Sequence, residues 1–329
     1  MNETEKFLFD INGYIVVRNA LTPQQVHDLK EKLNLRLNAK SHYSWKNKND
    51  VKDAPNDPVI KDRILHFGSD RAWPKKDELM CSSPSLLEWG GTYIELLDLP
   101  SIKPYLETLI GKNYRLDHDY ANVFGDINGS RRGRLAIHGG GGGAGGPNDL
   151  VGPTDGGQCY YRYNNGTFYN GLVAVAFELN SLEPDDGGFA CIAGSHKANF
   201  PVPKEFKPPN IFTNQDELPE CVTKVAVNAG DAIIFTEALS HGTVPMKKGI
   251  HKERKTIFYK YCPHAVAWGP DFYNADNYPG LTDAQKKLLL PPSAFGPLTG
   301  SFWNTARKEQ QELKKLREEV KMLKSNSRL

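Results

Sequence analysis

The sequence lacks the features that mark membrane-spanning, secreted or nucleic-acid-binding proteins. No apolar run approaches the ~20 residues that a membrane span needs, and the mean hydropathy is −0.53. Residues 1–6 are polar and partly acidic, unlike a secretory signal, so we expect an intracellular and by default cytoplasmic protein. The formal net charge is only +2, so we expect neither nucleic acid nor a membrane as a partner.

Cysteine is scarce and shows no pairing pattern. An odd number of scattered cysteines without a C-x-x-C pair favours reduced thiols over a disulfide framework or a zinc ribbon. Without a secretory signal, we expect the sequon Asn165-Gly166-Thr167 to carry no glycan. The five cysteines are Cys81, Cys159, Cys191, Cys221 and Cys262.

The final residues, Ser327-Arg328-Leu329, resemble the Ser-Lys-Leu address that directs proteins to peroxisomes. A chance match is the alternative. A peroxisomal location therefore stays open if the source is eukaryotic.

Short strands dominate the chain from Tyr114 onward. They are separated by Gly, Asn, Asp and Pro, with few helices between them. This pattern is typical of a β-sandwich or a jelly-roll barrel. The predicted strands are 114–125, 133–138, 158–163, 171–179, 189–192, 222–227, 231–235 and 254–261.

The first third of the chain mixes one strand with several predicted helices. Tyr14–Val17 is β-branched and predicts a strand. Thr22-Pro23 predicts the start of a helix, with Thr22 as N-cap and Gln25 at the capping-box position. Helices are also predicted at 86–97, at 101–110 and, before a Pro-Pro block, at 281–290.

These elements predict an α+β fold class with a mainly β core. Residues 40–80 are charged and rich in proline, so we predict a loop or lid there. We expect one domain over residues 1–304 and a charged helical tail over 305–329. Apolar residues in this tail recur at heptad spacing over about two heptads, so it either packs on its own body or mediates self-association. They are Leu313, Leu316, Val320 and Leu323.

Two histidines stand where predicted strands end. His138 follows strand 133–138 into a glycine run, and His241 follows the apolar strand 231–235; each is followed directly by glycine. A neutral imidazole suits Fe(II). The spacing therefore predicts a metal site held by His138 and His241, although either ring can instead cap a strand or bond a backbone carbonyl.

An arginine opens the next predicted strand. Arg254 carries a planar fork that matches a carboxylate, and the hydroxyl of Thr243 is expected to contact the same carboxylate. The alternative is a surface ion pair between Arg254 and Glu253. By strand alternation, Arg254, Thr256, Phe258 and Lys260 are predicted to share one face.

Four segments resemble the phytanoyl-CoA dioxygenase family. They are FLFDINGYIVVRNALTPQQV, DDGGFACIAGSHKANFP, NAGDAIIFTEALSHGT and RKTIFYKY, and the resemblance runs from about Phe7 to Trp268. It implies a double-stranded β-helix fold of the jelly-roll or cupin type. It also implies an iron(II)- and 2-oxoglutarate-dependent dioxygenase that uses O2 on a small or carrier-linked substrate and releases succinate and CO2.

The resemblance assigns roles to individual residues. It implies that His138 and His241 are the iron ligands and that Arg254 binds the distal carboxylate of 2-oxoglutarate. Ser195 and His196 match the second signature of the family, which we interpret as a turn at the mouth of the barrel, without a ligand role for His196.

The sequence departs from the family at its first motif. The usual His-x-Asp reads His138-Gly139-Gly140, so the carboxylate of the common two-histidine, one-carboxylate triad is missing. Chloride at the position of Gly140 would make the protein a halogenase, as in related His-x-Gly enzymes. Water, or a carboxylate borrowed from Asp149 or Asp155, would make it a hydroxylase. Weak iron binding would leave an inactive binding module.

The glycine run after His138 has two possible interpretations. It is not a Walker loop, because no Gly-Lys-Ser/Thr follows. It is either an ordinary loop or a nest of backbone N–H groups that binds an anion.

Overall fold

The computed structural model describes residues 1–38, 65–68, 85–125, 137–139, 159–200, 202–206, 212, 214–268 and 273–292. Several features predicted from the sequence lie outside these residues. They are the possible halide position Gly140, the candidate carboxylates Asp149 and Asp155, and the tail 305–329.

Eleven strands form three antiparallel groups in the described part of the chain. The largest sheet has the order β1-β9-β6-β11-β3-β2, the second has the order β10-β7-β8, and β4 and β5 form a hairpin. In chain order the strands are β1 Tyr14–Val17, β2 Leu65–Gly68, β3 Tyr114–Gly125, β4 Tyr161–Asn164, β5 Thr167–Asn170, β6 Val173–Glu178, β7 Gly188–Cys191, β8 Thr223–Lys224, β9 Ala232–Thr236, β10 His241–Val244 and β11 Glu253–Pro263.

The large sheet has an apolar layer on each face. One layer also contains residues of β7 and of the segments near β8 and β10, and therefore lies between the two sheets; it includes Phe124, Ala176, Phe189, Ile233, Phe235 and Val225. The other layer packs the sheet against the helices and includes Leu29, Tyr93, Leu106, Val175, Ile234 and Tyr259. This arrangement confirms the predicted jelly-roll core with flanking helices.

Five α-helices flank the sheets in the described residues: α1 Glu3–Asn12, α2 Pro23–Asn38, α3 Thr92–Glu95, α4 Lys103–Leu109 and α5 Asp283–Leu288. Helix α2 begins as predicted, because the Gln25 backbone N–H donates to the Thr22 hydroxyl at 3.2 Å and the Gln25 side chain accepts from the Thr22 backbone N–H at 3.0 Å. None of the helices in the described ranges has the length and apolarity needed to cross a membrane.

Two predictions about the first third of the chain were wrong. The single helix predicted over 86–97 is broken, because Gly90 and Gly91 adopt positive φ angles of 67° and 53°. It becomes two 3-10 turns on either side of α3. Within residues 40–80, predicted as loop or lid, Leu65–Gly68 instead form strand β2 at the edge of the large sheet.

Candidate metal centre

The backbone brings His138 and His241 side by side. The His138 N–H donates to the His241 carbonyl at 2.9 Å, and the His241 N–H donates to the His138 carbonyl at 2.8 Å. This antiparallel bridge places His138 beside β10, on the edge that is not paired with β7. The ring centroids lie 4.3 Å apart. The structure therefore brings together the two histidines predicted as ligands, and their metal binding stays a prediction.

The His241 ring is held with one nitrogen available for coordination. Its Nδ1–H donates to the Leu239 carbonyl at 2.7 Å, which assigns the lone pair to Nε2. The ring is buried and packs against Phe235 at 4.6 Å between centroids. Burial, together with the adjacent His138, lowers the pKa of His241 to about 3, so the imidazole is neutral. A neutral ring with an available Nε2 is the form that binds a metal.

A carboxylate that the sequence analysis did not single out faces this ring. Glu237 is only 6% exposed, and its Oε2 lies 3.8 Å from Nε2 of His241. Its Oε1 lies 2.8 Å from Nζ of Lys260. Burial raises the pKa of Glu237, but the positive charge of Lys260 outweighs this effect and lowers the pKa to about 2. Glu237 is therefore ionised at neutral pH.

Gly139 lets the His138 segment cross the turn that precedes His241. Its φ is +75°, and a Cβ at this position would lie 2.5 Å from the Leu239 carbonyl oxygen and 2.8 Å from that of Glu237. A side chain here would collide with backbone atoms, which cannot move aside as a flexible side chain can. The first glycine after His138 is therefore required by packing.

Arg254 is buried and engaged on two sides. Its Nε and Nη2 donate to the two carboxylate oxygens of Glu178 at 3.2 and 2.5 Å. Its Nη1 donates to the Thr243 hydroxyl at 3.0 Å. The alternative of a surface ion pair with Glu253 is wrong, since Arg254 is 0% exposed and Glu253 pairs with Lys255 at 2.6 Å.

The inward face of β11 is polar at one end and mixed at the other. Thr256 donates to Glu178 at 2.8 Å, Phe258 stacks on Tyr120 at 4.7 Å, and Nζ of Lys260 lies 5.3 Å from the Tyr120 ring centre. The predicted common face of residues 254, 256, 258 and 260 is confirmed. It connects the arginine to the lysine that holds Glu237.

The Ser195-His196 turn supports this centre from outside. The Ser195 hydroxyl accepts from the Ser240 N–H at 2.8 Å, one residue before His241. The Nε2–H of His196 donates to the Asp10 carbonyl in α1 at 2.9 Å. Burial lowers the pKa of His196 to about 4. These contacts agree with a turn that shapes the barrel mouth.

The described residues contain no group of three His, Cys, Asp or Glu side chains already arranged around one metal position. The centre therefore consists of the His138–His241 pair with Glu237 beside it. Coordination by three protein ligands would require these side chains to move closer together.

Comparisons with known proteins support the family resemblance and the fold. The sequence profile of the phytanoyl-CoA dioxygenase family matches residues 155–248, which confirms the resemblance. No curated protein matches the sequence.

Solved structures match most of the chain. HygX from Streptomyces hygroscopicus, with nickel, 2-oxoglutarate and hygromycin B bound, has a TM-score of 0.60 and 20% identity, covering 82% of this chain and 90% of that chain. SnoN, a non-heme alpha ketoglutarate dependent epimerase from nogalamycin biosynthesis, has a TM-score of 0.51 and 16% identity, covering 91% and 93%. At these identities the matches establish the shared fold.

Proposed function

We propose that this protein is an iron(II)- and 2-oxoglutarate-dependent oxygenase. It would oxidise a C–H bond of a small or carrier-linked organic substrate with O2 and release succinate and CO2. The observation that supports this most is the alignment of two groups on one face of β10. His241 lies beside His138, and Thr243, two residues further along, contacts the buried Arg254 at 3.0 Å.

The donor set fits iron. His241 offers an unprotonated Nε2, because its Nδ1–H is used by the Leu239 carbonyl. His138 is fixed next to it by two backbone hydrogen bonds. Histidine nitrogens with a nearby carboxylate form the ligand set of non-heme Fe(II) oxygenases. Bound iron would supply the redox chemistry with O2, and the chain would orient the reactants around it.

The spacing between the histidine and the arginine suits 2-oxoglutarate. Two residues along an antiparallel strand span about 6.8 Å, while the terminal carbons of a five-carbon diacid lie about 5 Å apart, from C–C bonds of ~1.52 Å. One end of the acid would lie near His241, and its distal carboxylate would accept from Nη1 of Arg254 and from Thr243. Glu178 engages the opposite edge of the guanidinium and leaves Nη1 for this contact.

Whether the substrate carbon is halogenated or hydroxylated depends on what lies beside the iron at residue 140. Gly140 has no side chain, so chloride beside the iron would support halogenation, whereas water or a protein carboxylate there would support hydroxylation. The epimerase activity in the name of SnoN belongs to that protein. All of these outcomes consume 2-oxoglutarate and O2, so one assay tests the shared part of the proposal.

The test is an anaerobic titration of the protein with Fe(II) and 2-oxoglutarate, followed by O2. We expect a weak visible band from the iron-chelated keto acid and then succinate. His241→Ala should abolish iron binding, whereas His27→Ala, at an exposed position of α2, should not. Full iron occupancy in His241→Ala would show that the ligand is wrong. No band and no succinate would favour a binding module on the same fold.

Chloride dependence separates halogenation from hydroxylation. Succinate that rises with chloride, and loses this dependence in Gly140→Asp, would support a halide position at residue 140. Succinate that is indifferent to chloride in both proteins would support hydroxylation.

A further inference from the structure

The first motif provides no carboxylate for the metal centre. The residue in the position of the motif aspartate is Gly140. Among the described residues, the carboxylate that faces the histidine pair is Glu237, in the turn between β9 and β10 and four residues before His241. It is buried at 6% exposure, where an ionised carboxylate needs a partner to offset lost hydration.

The two oxygens of Glu237 have different surroundings. Oε1 lies 2.8 Å from Nζ of Lys260, which fixes one side of the carboxylate. Oε2 lies 3.8 Å from Nε2 of His241. Because Nδ1 of His241 contacts the Leu239 carbonyl at 2.7 Å, Nε2 is the ring nitrogen that faces this carboxylate oxygen. Two atoms that can each ligate a metal therefore face each other across 3.8 Å.

The gap matches a metal ion. Two metal–ligand bonds of about 2.1 Å span at most about 4.2 Å, so one ion can bond both Oε2 and Nε2 across 3.8 Å. His138 is kept next to the same turn, because Gly139 lies against the carbonyl oxygens of Glu237 and Leu239. Completing the set requires His138 and Glu237 to close around the ion, since the described side chains are not preassembled.

We infer that Glu237 is the carboxylate ligand of the iron, in place of the aspartate that the first motif lacks, and that Lys260 positions it. This inference rests on the proposed function. It assigns the carboxylate to the turn before the second histidine instead of to the position two residues after the first histidine. It also fills the coordination position that a halide would need, and so favours oxygenation over halogenation.

The competing explanation is an ordinary buried ion pair. Removing one partner of such a pair leaves an unpaired charge and destabilises the protein, whereas replacing both partners by neutral groups is often tolerated. A test of Glu237 must therefore separate metal binding from the loss of the pair. Lys260→Met and the double variant Glu237→Gln/Lys260→Met provide this separation.

The experiment is anaerobic calorimetric titration with Fe(II) alone, on the full chain, with circular dichroism to verify folding. A ligand should cost more than the 10- to 100-fold that is typical for supporting residues. We therefore expect Glu237→Gln and the double variant to lose on the order of 100-fold or more in Fe(II) affinity. Lys260→Met retains the carboxylate and removes only the residue that positions it, so we expect a loss of about tenfold, at the lower end of the range for supporting residues.

The outcomes distinguish the two proposals. If the wild type binds Fe(II) and the folded double variant binds it within threefold of the wild type, Glu237 is not a ligand, and the proposed function survives. If Lys260→Met loses as much affinity as Glu237→Gln, the pair matters only as a structural unit, and the inference is wrong. If the wild type binds no Fe(II), the proposed function and the inference both fail.

Discussion

Arg254 and Glu178 form a two-bonded ion pair that is closed off from solvent. The arginine is 0% and the glutamate 0% exposed, and the carboxylate also accepts from Thr256 at 2.8 Å. The pair leaves Nη1 of Arg254 directed at Thr243. Glu178 thus sets the orientation of the guanidinium, which would lower the conformational cost of binding 2-oxoglutarate if the proposed function is correct.

Glu178→Gln is expected to destabilise the protein strongly. The substitution keeps the shape but leaves the buried guanidinium without its counter-charge, which costs about 3–5 kcal/mol in comparable cases. Urea unfolding at pH 7 measures the change in the free energy of unfolding. Asp185→Asn is the control, because this exposed carboxylate pairs with Lys224 at the surface and should change nothing measurable. Equal effects of the two variants would contradict the prediction.

Thr243→Val is expected to weaken 2-oxoglutarate binding. Valine keeps the volume but removes the hydroxyl, which accepts from Arg254 at 3.0 Å and, in the proposed function, donates to the distal carboxylate of 2-oxoglutarate. A hydrogen bond to a charged group contributes about 1.5–3 kcal/mol, so the dissociation constant of 2-oxoglutarate should rise roughly 10- to 100-fold. The visible band of the iron complex reports the binding.

Thr243→Ser is the matched variant for this position. Serine keeps the hydroxyl and removes only a methyl group, so we expect an affinity for 2-oxoglutarate close to that of the wild type. If valine and serine weaken binding equally, the hydroxyl has no part in holding the acid.

Gly139→Ala is expected to reduce iron binding. The added Cβ would meet the Leu239 carbonyl oxygen at 2.5 Å and the Glu237 carbonyl oxygen at 2.8 Å, so the His138 segment must separate from the turn before His241. Fe(II) titration measures the loss, which we expect to exceed tenfold, as for disrupted supporting contacts.

Gly166→Ala is the control for backbone strain. Gly166 has the same φ of +75° but nothing within 4 Å of its added Cβ. Both variants share the strain of a left-handed residue, about 1–2 kcal/mol, so a difference in iron affinity isolates the collision at Gly139. Equal iron affinities would mean that the His138 segment tolerates displacement.

The strands and the histidine pair could be predicted because their signals are local. Strand β3 has the predicted bounds of 114 and 125. The apolar segment predicted as strand 231–235 forms β9 at Ala232–Thr236, and His241 follows after a short turn. The fold itself followed from the number and spacing of such strands. These signals are local because β-branched and aromatic residues bounded by Gly, Asn, Asp and Pro favour a strand whatever the rest of the fold.

The missed elements have weaker or non-local signals. Helix α1 is marked only by the Asn2–Glu5 capping box and by Gly13 at a φ of 78°. Asn165-Gly166, considered only as a sequon, is the turn of the β4–β5 hairpin, with both φ angles positive. Its signal was present, since Asn-Gly between strands favours this turn.

The charged contacts of the interior could not be found from the sequence. Glu178 and Arg254 are 76 residues apart, and nothing in their neighbouring residues predicts the pairing. Glu237 likewise depends on Lys260 from another strand. Such pairs appear only when the sheet registers are known, because strand pairing decides which inward positions meet.

His196 is expected to make the stability of the protein depend on pH. Burial lowers the pKa of His196 from 6.5 to about 4, so between these values the folded protein keeps the ring neutral while the unfolded chain binds a proton. The free energy of unfolding therefore falls as the pH decreases through this window, and the contribution is fully present above pH 6.5. At 1.36 kcal/mol per unit, the loss between pH 6.5 and pH 5 is about 2 kcal/mol.

His196→Gln tests this assignment. Glutamine retains an N–H donor for the Asp10 carbonyl, which His196 contacts at 2.9 Å, but cannot be protonated. Urea unfolding of both proteins at pH 6.5 and pH 5 should show a stability loss that is about 2 kcal/mol smaller in the variant. All other titrating groups are common to the two proteins, so the difference between their losses belongs to residue 196. Parallel losses would mean that His196 is protonated in the folded protein as readily as in the unfolded chain.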